Sequence, residues 1–152
     1  MKFLSALMIV GLLAWAGSVM AAGSDTTPAT TQSPKILDAQ KLLEAKRYGE
    51  AIPILKFVAQ TSPKNADAHN LLGYSLRKTN QLEAAEVAYN RSLEIDPKHR
   101  GALEYLGELF LETNRLKEAE KLLQRLDDAC LFGCKEYDDL KKEIAEFRAK
   151  GG

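Results

Sequence analysis

Two cysteines, Cys130 and Cys134, are the residues of this sequence whose type and spacing most directly suggest chemistry. A pair so close along the chain can form a structural disulfide in an oxidising compartment, act as a redox dithiol or bind a soft metal ion. The spacing is not that of a Cys-x-x-Cys redox motif, and Lys135 follows where a haem-attachment motif has His. We therefore expect a disulfide, and redox or soft-metal chemistry at the two cysteines is the alternative.

The other polar residues give little indication of catalysis. The sequence has two histidines, His69 and His99, and neither lies at a catalytic spacing from a Cys, a Ser or a pair of carboxylates. Lys and Arg together number 21, as do Asp and Glu, so no basic excess favours nucleic acid. We predict that the protein is not an enzyme, with no catalytic residues, no metal site, no cofactor and no nucleic-acid partner.

The amino-terminal segment has the order of a secretory leader. Lys2 precedes an apolar run, and small residues that suit a cleavage site, including Val19 and Ala21, follow it. We therefore predict a signal peptide over residues 1–22 and an exported protein, periplasmic in a bacterium and free of the membrane once cleaved. The run is also long enough to span a bilayer, so an uncleaved leader that anchors the chain to the inner membrane is the alternative. Residues 23–33 are rich in Thr and Ser, which predicts a flexible linker.

A repeating pattern organises the rest of the chain. Leu72 and Gly73 return 34 residues later as Leu106 and Gly107. The same step relates Thr79 to Thr113, Asn80 to Asn114 and Ala85 to Ala119. A lone Gly inside a helix costs about 1 kcal/mol relative to Ala, so its return at the same phase indicates close helix packing. A fixed period of this length predicts a helical repeat array.

The pattern resembles the tetratricopeptide repeat, in which Leu-Gly, Ala, an aromatic residue and Pro recur at set positions. The central copy has Leu72-Gly73, Ala85, Tyr89 and Pro97 there. The resemblance implies an all-α fold, a right-handed α-solenoid of three helix pairs. The pairs would occupy about residues 32–65, 66–99 and 100–131, so that the repeats span residues 34–131 after the linker.

Residues 132–152 are predicted to form a capping helix and tail. Their apolar residues fall on one stripe of a helix, at spacings of three and four, and the opposite face is charged. These apolar residues are Tyr137, Leu140, Ile144 and Phe147. A last helix of this kind can close the end of a repeat array.

The resemblance also assigns a candidate binding site. The first helices of tetratricopeptide arrays line a concave groove, and the residues that it places there are polar or aromatic. They are Gln40, Asn70, Tyr74, Arg77, Lys78, Glu104, Glu108 and Glu112. The predicted groove has a basic, amide and aromatic centre beside an acidic flank.

Such a groove suits an extended segment of mixed charge. We therefore expect an exported protein–protein interaction scaffold or assembly factor whose partner is a protein or an extended peptide. The clamp with which some family members hold the carboxylate of a chaperone tail is not expected, because it needs Lys, Asn and Arg. The corresponding positions here hold Ile36, Gln40, Gly101 and Tyr105. The alternative function is a thiol, redox or soft-metal-handling protein acting through Cys130 and Cys134.

Overall fold

The computed structural model describes residues 34–151, and within this range the chain forms seven α-helices and no strand. The helices are α1 (Pro34–Glu44), α2 (Tyr48–Thr61), α3 (Ala66–Lys78), α4 (Leu82–Ile95), α5 (Arg100–Glu112), α6 (Leu116–Ala129) and α7 (Lys135–Ala149). The all-α prediction is confirmed. None of these seven helices has the length and apolar character needed to cross a membrane. The predicted signal peptide and linker, residues 1–22 and 23–33, lie outside the described residues.

The first six helices form three antiparallel pairs, each joined by a short turn of the same geometry. The middle residues of the turns, Lys46, Asn80 and Asn114, have φ angles of 57°, 60° and 58°. The residue that follows each of them donates its N–H to a carbonyl near the end of the preceding helix. These bonds run from Arg47 to Leu42 (2.8 Å), from Gln81 to Leu76 (2.9 Å) and from Arg115 to Phe110 (2.7 Å). Asn enters the left-handed region more readily than most residues, which accounts for its recurrence in two turns.

The main core runs through the successive pairs, and a small second cluster of Ile36, Val58 and Ala68 lies beside it at the amino-terminal end of the described chain. Helix α3 packs on α4 within its own pair and on α2 and α5 of the neighbouring pairs, whereas α7 packs on α5 and α6. Tyr89, Leu103 and Leu126 are completely buried in this core. Helix α7 therefore occupies the place that the first helix of a fourth pair would take, and it closes the core at that end.

Two glycines mark the closest helix contacts. A Cβ atom at Gly73 would lie 2.6 Å from the ring of Tyr89 on α4, and a Cβ atom at Gly107 would lie 2.6 Å from the side chain of Leu140 on α7. Leu123 holds, in the third pair, the place that Tyr89 has in the second. At Gly107, however, the side chain nearest to the added Cβ atom is that of Leu140 and not that of Leu123. The close contact at Gly107 is therefore made with α7 and not with α6, the other helix of the same pair.

The apolar stripe of α7 faces the array, as its spacing predicts. Leu140 and Ile144 are 0% and 3% exposed. Tyr137 and Phe147 are partly buried against the same core. The cap therefore adds to the core of the third pair rather than lying on its surface.

Candidate functional site

Helices α1, α3, α5 and α7 lie side by side and form one surface of the molecule, here called the groove face. The residues that the sequence predicts for binding belong to these helices. Two clefts open on this face. The tyrosine cleft lies among α1, α3 and α5, and the acidic cleft lies between α5 and α7.

The tyrosine cleft has a volume of about 430 Å³. Its lining residues are Gln40, Leu43, Glu44, Leu71, Tyr74 and Tyr105. The ring centroids of Tyr74 and Tyr105 are 5.0 Å apart, and Tyr48 meets Tyr74 edge-on with centroids 5.8 Å apart. Aromatic rings packed in this way, with part of their surface open, offer an apolar contact and a polar hydroxyl to a partner side chain.

The hydroxyl groups of this cleft are neutral at physiological pH. Burial raises the pKa of Tyr74 to about 12. Burial also raises the pKa of Tyr105. A neutral phenol can both donate and accept a hydrogen bond, so the cleft can pair with backbone groups of an extended peptide.

Arg77 crosses from α3 to α5, and only 2% of its side chain is exposed. Its Nη1 donates to Oε1 of Glu112 at 2.9 Å, and its Nη2 donates to Glu108. Burial acts to lower the pKa of Arg77, but attraction by Glu108 and Glu112 outweighs it and raises the pKa overall. The guanidinium therefore stays charged, and the basic centre predicted for the groove is neutralised within the protein.

The acidic cleft has a volume of about 340 Å³. Its lining residues are Glu108, Leu111, Glu112, Glu143, Glu146, Phe147 and Lys150. Burial and the nearby Glu108 carboxylate raise the pKa of Glu143, because the charged form is disfavoured there. Glu146 lies 3.8 Å from the Lys142 ammonium and 3.9 Å from that of Lys150, but all three are exposed and water screens such pairs. A cation from a partner would relieve the repulsion among these carboxylates.

Glu104 gives the groove face a charge that depends on pH. The residue is 6% exposed. Burial, and then repulsion from Glu108 and Asp139, raises the pKa of Glu104 to about 7. Its carboxyl group is therefore partly protonated near neutrality, and the negative charge of this face grows as the pH rises.

The predicted site residues have different surroundings. Gln40 and Tyr74 line the tyrosine cleft, and Glu108 and Glu112 line the acidic cleft. Lys78 is exposed, with its Nζ 5.4 Å from the centre of the Tyr74 ring. These residues are open to a partner.

Asn70, Arg77 and Glu104 are instead buried. Asn70 is 7% exposed, and its amide nitrogen would lie 3.1 Å from a Cβ atom at Gly101 on α5. Asn70 therefore lies in the interface between α3 and α5. These three side chains therefore have little surface open to solvent.

Tyr105, Glu143 and Glu146 line the clefts but are absent from the predicted set. The charged side of α7 predicts a solvent-exposed surface, yet Glu143 and Glu146 face the acidic cleft because α7 packs on α5 like a further first helix. An interpretation of α7 as a fourth first helix would have indicated Glu146, which is in phase with Lys78 and Glu112, but not Glu143, which is in phase with Leu109. Tyr105 follows the predicted residue Glu104 in the sequence. Its aromatic side chain is the feature that could have indicated a place in the cleft.

The two cysteines lie in the turn between α6 and α7. The Sγ atoms of Cys130 and Cys134 are 2.07 Å apart, which is a bonding distance, and their Cα atoms are 5.7 Å apart. Gly133 has a φ of 80° in this turn. Among residues 34–151, no group of three or more His, Cys, Asp and Glu side chains is placed to hold a metal ion.

His99 has a structural partner on each side of its ring. Its Nδ1 accepts the N–H of Ala102 at 3.1 Å, which caps the first turn of α5. Its Nε2 pairs with Oδ1 of Asp67 on α3 at 2.9 Å and is the donor in the tautomer that these two bonds require. The ring therefore connects two neighbouring pairs of helices.

Comparison with protein families identifies the repeat. The tetratricopeptide repeat family model matches residues 42–102 and 85–144, which together make up more than half of the chain. None of the curated proteins compared with the chain matches it.

Several solved structures share the fold. The first TPR of Spaghetti (RPAP3), bound to the HSP90 peptide SRMEEVD, has a TM-score of 0.66 at 18% identity, covering 76% of this chain and 90% of that chain. The Yersinia enterocolitica type III secretion chaperone SycD, in complex with a peptide of the translocator YopD, has a TM-score of 0.65 at 17% identity, covering 74% and 86%. PcrH, in complex with the chaperone binding region of PopD, has a TM-score of 0.69 at 13% identity, covering 78% and 91%. At these identities the likeness shows the fold.

Proposed function

The chain belongs to the tetratricopeptide repeat family, and on that basis we propose that it is a protein–protein interaction scaffold whose groove face binds an extended segment of a partner protein. The observation that carries this proposal is the presence of two open clefts of different chemistry on one face. The solved relatives that hold peptides of HSP90 and YopD support a peptide as the kind of ligand.

The two clefts define the chemistry of the partner segment. The tyrosine cleft suits an aromatic or aliphatic side chain, because the rings of Tyr74 and Tyr105 present apolar surface there. The acidic cleft suits Lys or Arg, since Glu143 and Glu146 have no strong basic partner in the described part of the chain. A segment with one apolar and one basic side chain therefore fits this face better than an acidic peptide.

Two single substitutions should weaken this binding without unfolding the protein. Tyr74→Ala removes ring surface from one cleft, and Glu146→Lys reverses a charge in the other. We expect each to reduce affinity about tenfold, as the loss of one well-placed side chain does at many interfaces. The measurement is fluorescence anisotropy with a labelled extended peptide that carries Phe and Lys, and an acidic peptide of equal length is the control ligand.

The control variant is Glu83→Lys, which makes the same charge change at an exposed residue of α4, away from the groove face. It should bind the basic peptide as the wild type does. If Tyr74→Ala and Glu146→Lys also bind like the wild type, or if the acidic peptide binds best, the groove face is not the site proposed here.

Export of the protein is a further part of the proposal. It rests on the order of Lys2, the apolar run and the small residues Val19 and Ala21. We expect protein recovered from the cell envelope to lack the leader, so that its intact mass begins after Ala21 or Ala22. A mass that includes Met1, together with recovery in the inner-membrane fraction, would support the anchored alternative.

We also propose that Cys130 and Cys134 form a structural disulfide. A ring this short restricts the unfolded chain only modestly, so reduction should lower the free energy of unfolding by up to about 2 kcal/mol. The measurement is urea denaturation with and without dithiothreitol. The double variant Cys130→Ser/Cys134→Ser is the control and should not respond to the reductant.

The redox alternative makes the opposite prediction. A working dithiol would be reduced at a potential well above about −300 mV, and reduction would leave the urea midpoint unchanged. Contact of the peptide's apolar side chain with the tyrosine cleft should persist after reduction if the bond is structural, because that cleft lies among α1, α3 and α5 and not at α7.

A further inference from the structure

The turn between α6 and α7 carries an exposed apolar pair, Leu131-Phe132, here called the tip. Leu131 is 85% exposed and Phe132 is 100% exposed. Both lie between Cys130 and Cys134, whose sulfur atoms are at bonding distance, so the ring limits the conformations of the tip. Two adjacent large apolar residues in full contact with water are characteristic of a contact surface.

An apolar cleft of about 670 Å³ lies on another part of the molecule, between α2 and α4 with α3 as its floor; it is here called the back cleft. Leu72, Leu76 and Ala88 contribute its apolar surface. Val87 lies at its rim and is 70% exposed. The second helices of the first two pairs therefore leave between them a depression that could receive an apolar side chain.

The corresponding place in the next repeat is covered. The guanidinium of Arg115 lies 4.1 Å from the centre of the Phe110 ring, and its Nη1 bonds to Glu86 of α4 at 2.7 Å. At the back cleft, one repeat earlier, the residues in the same positions are Gln81, Leu76 and Ile52. Gln81 donates to Thr79 of its own turn instead. The back cleft therefore lacks the ion-paired arginine that covers its counterpart.

The charges around the two surfaces are complementary. Asp127 and Asp128 are exposed at the end of α6, just before the tip. Lys56 and Arg91 line the back cleft. Arg91 also contacts Glu94 at 2.8 Å, but both side chains are about half exposed and the pair is screened by water. Opposite charges placed beside matching apolar surfaces favour one orientation of contact.

We propose that the tip of one copy of this chain inserts into the back cleft of a second copy. The tip and the back cleft are separate surfaces, so the contact is head-to-tail, and each copy still offers an unused tip or cleft for further association. The groove face takes no part in this contact and stays open to a partner protein.

Sedimentation velocity of the purified chain, from low to high micromolar concentration, tests the proposal. The mean mass of the wild type should rise with concentration. Phe132→Ser and Val87→Asp should each weaken association about ten- to a hundredfold, as expected from the loss of one buried apolar side chain. Both residues are exposed in the single chain, so neither change should lower its melting temperature. Leu37→Ser is the matched control, since Leu37 is 46% exposed on α1.

A mixture of the two variants separates this contact from other kinds of association. The Val87→Asp copy keeps its tip and the Phe132→Ser copy keeps its back cleft, so an equimolar mixture should form a one-to-one dimer and stop there. A wild type that stays monomeric overturns the proposal, as does a mixture that does not associate. Binding of a monomeric wild type to phosphatidylcholine vesicles, lost in Phe132→Ser, would instead assign the tip to a lipid surface.

Discussion

Replacing Arg77 by alanine is expected to lower the free energy of unfolding by about 3 kcal/mol, the lower end of the range for breaking a buried ion pair. The guanidinium is almost fully buried between Glu108 and Glu112. Its loss leaves two carboxylates facing each other without their cation. Glu112 is 45% exposed and can turn to water, which is why the lower end of the range applies. Urea denaturation at neutral pH measures the loss.

The pH dependence of this loss identifies its cause. In the Arg77→Ala variant the two carboxylates repel each other while both are charged. The destabilisation should therefore be largest at neutral pH and should be relieved in acid, where protonation removes the repulsion. Arg47→Ala is the control, because Arg47 makes a similar pair with Glu50 at an exposed site. A shift in the urea midpoint no larger than that of Arg47→Ala would show that the pair adds nothing to the fold.

Replacing Leu140 by alanine is expected to cost about 2–5 kcal/mol, because the residue is completely buried and fills the space above Gly107. The change should also loosen α7 from α5 and α6. Hydrogen exchange would show this as faster exchange of the α7 amides, measured beside urea denaturation. Wild-type stability in this variant would mean that α7 does not complete the core.

A substitution at Gly107 tests whether this residue and Leu140 are in contact. Gly107→Ala alone should destabilise the protein by about 1–3 kcal/mol, because the new methyl group would meet Leu140. In the Leu140→Ala background there is room for that methyl group, so the same change should cost much less. Gly49→Ala should show no such coupling, because a Cβ atom there would meet no side chain within 4 Å. Additive effects of Gly107→Ala and Leu140→Ala would place the two residues out of contact.

Local features of this fold could be predicted from the sequence because they depend on neighbouring residues. The turns at Asn80 and Asn114 follow from the ease with which Asn adopts positive φ, and the stripe of α7 follows from its spacing. The helix pairs follow from the repeat itself. The partner of Gly107 could not be predicted in the same way, because Leu140 belongs to α7, outside the three repeats.

The candidate site was harder to predict because its charges interact between repeats. Arg77 and Glu108 each occupy a groove position in their own helix, and sequence periodicity treats both as open to a partner. The packing of α3 on α5 instead joins them to each other. The pKa of Glu104 depends likewise on α7, since repulsion from Asp139 adds to the effect of burial in raising it.

The contacts at the two glycines also bear on how an array of this kind can change in length. Residues 66–99 contain both members of their closest contact, Gly73 and Tyr89, so a tandem duplication of that segment would carry a complete packing unit with it. Residues 100–131 contain Gly107 but need Leu140 from outside the segment. In a duplicated third repeat the first helix of the following copy would take the place of α7, and Leu106 of that copy would stand where Leu140 stands, because Leu140 lies 34 residues after Leu106. The second repeat therefore carries its closest contact within itself, whereas the third receives its contact from whichever first helix comes next.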